Sequence, residues 1–335
     1  MKTVRFGGNR IVDVIDVAEP RPPKGHALVR MMASGVCRTD MELLYNRPEP
    51  VMITPGHEVA GIVREVNGVR QFAPGDRVMV NCHITCTRCR HCLNGDLIFC
   101  SNLRVIGFDI HGGDAEFLVV PESSLRPLPD DISFELGVII GDALATPYHA
   151  VKKARISPGD NIGITGLGPV GLMAVVSAKH FGAKVFAMDT IPERLEQAAK
   201  FGADVGINPI EPGAADQISE LTDGEGLDAV VECSGSAAAI NTGLDVLRLR
   251  GKLILVGVCE KVTLNPLDQI IFKEIEIIGS RNCNNHELPE LIALAREFPA
   301  IADIVTHRFP LAEAASAFEF ADKHGGLKIM LVPDN

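Results

Sequence analysis

The chain has 335 residues, 46% of them hydrophobic and 22% charged, which is enough apolar material for two globular cores. Its formal net charge of −11 repels phosphate backbones and anionic lipid surfaces, so no nucleic acid and no membrane partner is expected. No apolar run approaches the length of a membrane span. The N-terminal stretch Met1-Lys2-Thr3-Val4-Arg5-Phe6 lacks the apolar centre of a secretory signal, and the expected compartment is the cytoplasm.

From Val4 to about Pro129, short apolar runs (Ala27–Met32, Ala60–Val66, Arg77–Val80) are separated by turn-forming Gly, Pro and Asp, with Pro20–Gly25 as one such turn. This pattern predicts a β-rich, barrel-like domain. From about residue 145 strand and helix patterns alternate. Strands are expected at Asn161–Thr165, Lys184–Met188, Val205–Asn208, Leu227–Glu232 and Gly251–Val256, and helices at Val170–Phe181 and Pro192–Phe201. Such alternation predicts an α/β, doubly wound parallel sheet with helices on both faces. After Gly279 come a helix (Glu287–Phe298), a strand near Ile304–Phe309, a helix (Leu311–His324) and a last strand (Leu327–Val332).

Five of the nine cysteines fall between Cys82 and Cys100. In a reducing compartment such crowding reads as metal ligation before disulfides. Cys86-x2-Cys89-x2-Cys92-x7-Cys100 offers four thiolates on one short excursion, which suits a closed, structural tetrahedral zinc. An iron–sulfur cluster satisfies the same spacing; a zinc ribbon on nucleic acid is disfavoured by the acidic chain. Arg88, Arg90 and Arg104 flank the cluster and offset its negative charge. Cys82 falls outside the spacing and reads as a buried thiol, and His83 and His91 read as non-catalytic neighbours.

Gly166-Leu167-Gly168-Pro169-Val170-Gly171 follows an expected strand and opens an expected helix. The first glycine permits a tight turn, the second lets a pyrophosphate approach the backbone, and the third allows close helix–strand packing. Phosphates then meet the helix N-terminus. Asp189, at the end of the next expected strand, is placed to bind ribose hydroxyls and to repel a 2′-phosphate, favouring NAD over NADP. Its alternative role is to cap the helix beginning near Pro192. Arg194 on the same edge either lines the adenine pocket, softening that preference, or is a solvated helix residue. Val256, Gly257, Val258, Ser280 and Arg281, after the later strands, are further candidates to line the cofactor.

Three more segments carry potential ligands: Gly35-Val36-Cys37-Arg38-Thr39-Asp40, Pro55-Gly56-His57-Glu58 and Gly141-Asp142-Ala143-Leu144-Ala145-Thr146. Each alone is unremarkable, since a lone Cys is usually core and an Asp after Gly is usually a turn. In this order with the cysteine lobe and the glycine motif, the chain resembles the zinc-containing medium-chain alcohol and polyol dehydrogenases, in particular their sorbitol- and threonine-dehydrogenase-like branch. The resemblance spans essentially the full length. It implies a GroES-like catalytic domain assembled from residues 1–145 and 280–335 around an NAD-binding Rossmann domain, residues 146–279. It implies a catalytic zinc on Cys37, His57, Glu58 and Asp142, a second, structural zinc on the lobe, and Thr39 as the first proton-relay group. The implied substrate is a small secondary alcohol or its ketone, of polyol or sugar-derived type, and the implied assembly is a homodimer or homotetramer.

The chain departs from that pattern in places. Asp142 stands where alcohol dehydrogenases of the family have cysteine and polyol dehydrogenases have glutamate. Glu42 stands where many relatives have a relay histidine, so either Glu42 accepts the proton or it leaves by another path. Arg281-Asn282-Cys283-Asn284 is similar to the Arg-Tyr-Cys-Asn stretch of sorbitol dehydrogenases, without its aromatic residue; Arg281 faces the nicotinamide end or a substrate hydroxyl, or belongs to a polar loop. Lys328 matches a basic position near the pyrophosphate, or is an ordinary strand residue. Zinc with one thiolate, one imidazole and one carboxylate is neutral, and a second carboxylate makes the centre anionic and a poorer acidifier of an alcohol. Glu58 and Asp142 are therefore expected not to coordinate together when substrate is bound. The rival readings are a short-chain alcohol or amino-alcohol (threonine-like) dehydrogenase, and an inactive binding protein on the same scaffold.

Overall fold

A computed structural model describes residues 1–323 and 325–334. The chain divides into two compact units. The first comprises Met1–Asp142, Asn284–His286 and the segment from Ala302 onward; the second comprises Ala143–Cys283 and Glu287–Ile301.

The first unit is built on a mixed sheet in the order Val305–Pro310, Lys328–Val332, His26–Val36, Glu58–Asn67, Arg77–Val80, Leu125–Pro127, with Phe117–Pro121 also pairing with His26–Val36. His26–Val36 is the hub. Its residues are buried at almost every position, as a strand covered on both faces must be. Two registers position the side chains at its end: Gly35 pairs with Glu58, and Ile329 pairs with Val36. They bring the end of one strand and the starts of two others side by side. Helix Phe134–Gly141 is capped by Ser133, whose Oγ accepts from Leu136 N at 3.1 Å, and it releases the chain at Asp142. Over the sheet lies an aromatic cluster: the fully buried Phe318 ring meets Phe6 edge-on at 5.0 Å and Tyr45 at 6.0 Å.

The second unit holds six parallel strands in the order Val205–Ile207, Lys184–Met188, Asn161–Thr165, Leu227–Glu232, Leu247–Leu255, Glu276–Gly279. The order runs outward in both directions from Asn161–Thr165. The switch point between Asn161–Thr165 and Leu227–Glu232 is where a doubly wound sheet opens a crevice for ligand. The inner strands are apolar on both faces, as helices on both sides require.

The tail differs from its expected assignment. Helix Leu288–Glu297, expected in the first domain, groups with the second unit because polar contacts tie it to helix Ala145–Ala154. Tyr148 Oη and Lys152 Nζ both donate to Glu290 at 2.7 Å, and His149 Nδ1 donates to the buried Glu287 at 2.9 Å. The strand expected from Gly251 begins earlier, at Leu247, where a register shift lets it pair with Leu227. The last helix runs Ala314–Asp322 after a single turn; His324, its expected end, lies outside the described residues. Among the described residues no helix is long and apolar enough to cross a membrane.

Phe318→Ala removes the centre of the aromatic cluster and is expected to destabilise the first unit by about 3–5 kcal/mol. Urea unfolding measures this, and a loss below about 1 kcal/mol would show that the cluster is not a core.

Candidate functional site

Cys37 follows the strand His26–Val36, His57 precedes and Glu58 opens Glu58–Asn67, and Asp142 follows helix Phe134–Gly141. The fold brings these four together: one ligand atom from each lies within 4.8 Å of all the others. His57 donates from Nδ1 to Asp40 Oδ1 at 3.0 Å, and the other oxygen of Asp40 accepts from Cys37 N at 3.3 Å. Asp40 is completely buried. It orients the imidazole ring through Nδ1 and leaves Nε2 as the nitrogen available to a ligand. The Cys37 thiol reaches Thr39 Oγ1 at 3.6 Å, and the Phe108 ring packs 5.1 Å from that of His57.

Lys328 is not an ordinary strand residue. The register of its strand buries it inside this cluster, where Nζ lies 2.5 Å from both oxygens of Glu58. Its hydrogen bond goes to Oε1, so Oε2 is buried without one. Gly35 leaves room for the pair: a Cβ there would stand 2.3 Å from Glu58 Oε2 and 3.0 Å from Lys328 Cε. Burial pushes the Glu58 carboxyl up to about 7, against the pull of Lys328 and with the repulsion of Asp142. Burial and the Glu58 charge raise the Cys37 thiol. Burial lowers His57, but the Asp40 charge outweighs it and the imidazole rises well above its ordinary value. A thiol, an imidazole and two carboxyls thus crowd together, with one lysine paired to Glu58 among them. That donor set fits a divalent cation.

Asp40, Gly35 and Asp114 join the site although local sequence assigns them no role in it. Asp40 is visible as the last residue of Cys-x-Thr-Asp, whereas Asp114 has no local signal. Asp114 is fully buried, accepts from Ser34 Oγ at 2.6 Å, and presses on Gly56, where φ is +94° and a Cβ would meet Asp114 Oδ1 at 2.3 Å. Burial, then the Asp40 charge, pushes its carboxyl up to about 7. Glu42 is exposed and accepts from Arg38 Nε at 3.2 Å, so its carboxylate is engaged at the surface.

In the lobe the sulfurs of Cys86, Cys89, Cys92 and Cys100 also lie within 4.8 Å of one another. Backbone N–H groups point at them: Cys86 N and Asn102 N donate to Cys100 Sγ at 3.2 and 3.4 Å. The N–H groups of Cys92 and Ser101 hold the Cys89 thiol down to about 5, and those of Arg88 and Cys89 lower Cys86. Burial pushes Cys92 up to about 11. Two sulfurs poised to ionise beside one that resists suit a cation that draws all four together. All nine cysteines are free thiols, and Cys82 is buried and pushed up to about 12 by that burial.

In the second unit Gly166 takes φ +80° and leads into helix Pro169–His180. A Cβ on Gly171 would stand 1.9 Å from Gly166 O, whereas Gly168 has open space where its Cβ would be. The third glycine serves packing and the second leaves the backbone bare, the division of labour a pyrophosphate requires. Asp189 is buried, accepts from Leu167 N at 2.8 Å and from Ile191 N at 3.0 Å, and pairs with Arg194 at 3.4 Å. It does not cap the following helix, whose N-cap is Ile191. Val256, Gly257 and Val258 follow the fifth strand, with Val258 exposed; Ser280 is half-buried and Arg281 exposed after the sixth.

Known proteins share this architecture. Residues 23–130 match the family model described as alcohol dehydrogenase GroES-like domain, and residues 169–297 match zinc-binding dehydrogenase. The sorbitol dehydrogenase of Halalkalibacterium halodurans is 32% identical over 322 residues, covering 94% of each chain. The L-threonine 3-dehydrogenase of Chromobacterium violaceum is 34% identical over 310 residues, covering 89% of this chain and 90% of that one. The solved alcohol dehydrogenase TADH from Thermus sp. ATN1 aligns over 100% of both chains with a TM-score of 0.90 and 33% identity.

Gly35→Ala is expected to displace the Glu58 carboxylate and lower metal retention at Cys37 and His57 while the lobe keeps its metal; element analysis after dialysis against chelator reads both. Asp114 is protonated in the folded chain and ionised in the unfolded chain between its ordinary 3.8 and about 7. Its contribution to stability is complete below that window and is lost as pH rises through it. Asp114→Asn should therefore gain on the parent protein in urea unfolding as pH is raised through the same window, and a constant difference would refute the assignment.

Proposed function

Because the chain belongs to the zinc-containing alcohol and polyol dehydrogenase family, we propose that it passes a hydride between a secondary hydroxyl of a small polyol or sugar-derived alcohol and NAD. The observation that carries this reading is the buried cluster of Cys37, His57, Glu58 and Asp142 with Lys328 paired to one of its two carboxylates. Lys328 takes up the charge of Glu58, which leaves Asp142 as the carboxylate ligand of a neutral centre together with Cys37 and His57. This supports the expectation that the two carboxylates do not coordinate together.

Zinc, when bound there, supplies Lewis acidity that makes a coordinating hydroxyl easier to deprotonate. Asp40 keeps Nε2 of His57 directed into the cluster through its 3.0 Å contact with Nδ1. The Thr39 hydroxyl, beside Cys37 Sγ, takes the substrate proton and passes it outward by a path that bypasses Glu42. The cofactor, when bound, supplies the hydride acceptor. Asp189 holds a buried negative charge at the end of the second strand, which disfavours a 2′-phosphate; Arg194 is tied to that carboxylate and so does not offer a cation of its own.

The lobe holds a second, structural zinc on Cys86, Cys89, Cys92 and Cys100, giving two per chain. The protein works in the cytoplasm on a small molecule, with no nucleic acid or membrane partner. It assembles as a homodimer or homotetramer through the edge strand Glu276–Gly279, where Ile277 and the nearby Ile271 and Phe272 are exposed apolar residues.

Reduced-nicotinamide absorbance with NAD and with NADP, across polyols, simple alcohols and L-threonine, tests the reading. NAD-dependent, chelator-sensitive turnover of a polyol is expected, and turnover of L-threonine alone would move the assignment to the amino-alcohol branch. Asp142→Ala is expected to reduce kcat by about a hundredfold or more and to leave one zinc per chain in the lobe. Retention of both zinc ions and full activity would remove Asp142 from the site.

A further inference from the structure

Glu232 closes the fourth strand of the second unit and is completely buried. No local signal in the sequence singles it out, and it takes no part in the proton and hydride steps proposed for the metal cluster. Its carboxylate is held by donors from the next turn of chain: Ser234 N donates to Oε1 at 2.7 Å, Gly235 N at 3.0 Å, and the Ser234 hydroxyl makes a short hydrogen bond to the same oxygen. Its main-chain carbonyl accepts from both Val256 N and Gly257 N at 2.9 Å. One residue thus grips the loop after the fourth strand with its side chain and the loop after the fifth with its backbone.

The glycines around it show how tightly the loops converge. A Cβ on Gly257 would stand 2.1 Å from Gly235 N and 2.9 Å from Glu232 Oε2. A Cβ on Gly235, whose φ is +72°, would stand 2.2 Å from Val258 O, and one on Gly166 would stand 2.5 Å from Ser234 Cβ. Three backbone turns therefore meet with no side chain between them, at the switch point of the sheet. In a doubly wound sheet the strands on one side of that point serve the adenosine half of a dinucleotide, and those on the other serve the second mononucleotide. Asp189 lies on the first side; Glu232 and the two loops it joins lie on the second.

We propose that Glu232 is a positioning residue for the nicotinamide half of the cofactor site, holding the Ser234–Gly235 and Val256–Val258 turns in the shape that half requires. The proposal rests on the reading of this unit as a dinucleotide site. A carboxylate suits the task because every hydrogen bond its side chain receives comes from a donor, two of them N–H groups that cannot rotate away. The amide that replaces the carboxylate in a Glu232→Gln variant would turn an –NH2 group towards the Gly235 N–H, a donor that cannot accept it.

The test uses the full-length, zinc-loaded protein and direct binding rather than turnover. NADH is titrated by its fluorescence and AMP by calorimetry, for the parent protein, Glu232→Gln and Ser234→Ala. Glu232→Gln is expected to weaken NADH about tenfold, the effect of one hydrogen bond to a charged group, and Ser234→Ala by about threefold. AMP, which occupies only the adenosine half, should bind all three proteins within about twofold. AMP binding reports that the unit is folded; if Glu232→Gln does not fold, Ser234→Ala decides by the same comparison. Equal weakening of NADH and AMP, or unchanged NADH binding, overturns the proposal. A parent protein that binds neither ligand overturns the dinucleotide reading itself.

Discussion

The arrangement of the first unit depends on one buried ion pair, Lys328 with Glu58. Lys328 is 3% and Glu58 2% exposed, and taking either into the interior alone would be strongly unfavourable. They meet because their strands flank His26–Val36 on opposite sides, in registers that align Glu58 with Gly35 and Ile329 with Val36. A slip of one residue in either strand would turn one partner to the other face of the sheet and leave a lone buried charge. The pair therefore constrains register as well as charge, and Gly35 is bare because a side chain there would occupy the same space.

Around this pair the first unit gathers more acid than its cations neutralise. Asp40 directs its charge to the His57 ring and the Cys37 amide. Asp114 has a hydroxyl for a partner and is pushed towards its neutral form. With Glu58 paired to Lys328, Cys37 and Asp142 stand beside it in the same cluster, a donor set that suits the metal ion proposed for the site. The second unit manages buried acid differently: Asp189 and Glu232 are each held by backbone N–H groups, so that their charges shape loops instead of waiting for a cation. Glu58, Asp189 and Glu232 each stand at a strand end, where the regular hydrogen-bond ladder stops.

Much of this is legible in local patterns. The glycine motif sits on a strand-turn-helix because glycine alone readily accepts the left-handed backbone at Gly166 and the close approach of Gly171 to the Gly166 carbonyl. The four lobe cysteines are close in sequence, so their spacing alone brings their sulfurs together. The strands Asn161–Thr165, Lys184–Met188 and Leu227–Glu232 read clearly because strands buried on both faces are continuous apolar runs. The segment Leu288–Glu297 reads as a helix, but its unit is not legible, since its attachment runs through Tyr148, His149 and Lys152, far away along the chain. Lys328 escapes a local reading for the same reason: nothing near it in sequence indicates the distant carboxylate of Glu58.

The sequence by itself determined the kinds of element, their order, and the short-range motifs whose residues are neighbours along the chain. Tertiary structure alone decided which charges face one another: Glu58 with Lys328, Asp40 with His57, Asp114 with Ser34 and the Gly56 turn. The physical reason is that an element's periodicity is written in contacts a few residues apart, whereas the cost of a buried charge is settled by partners that strand register delivers from across the fold.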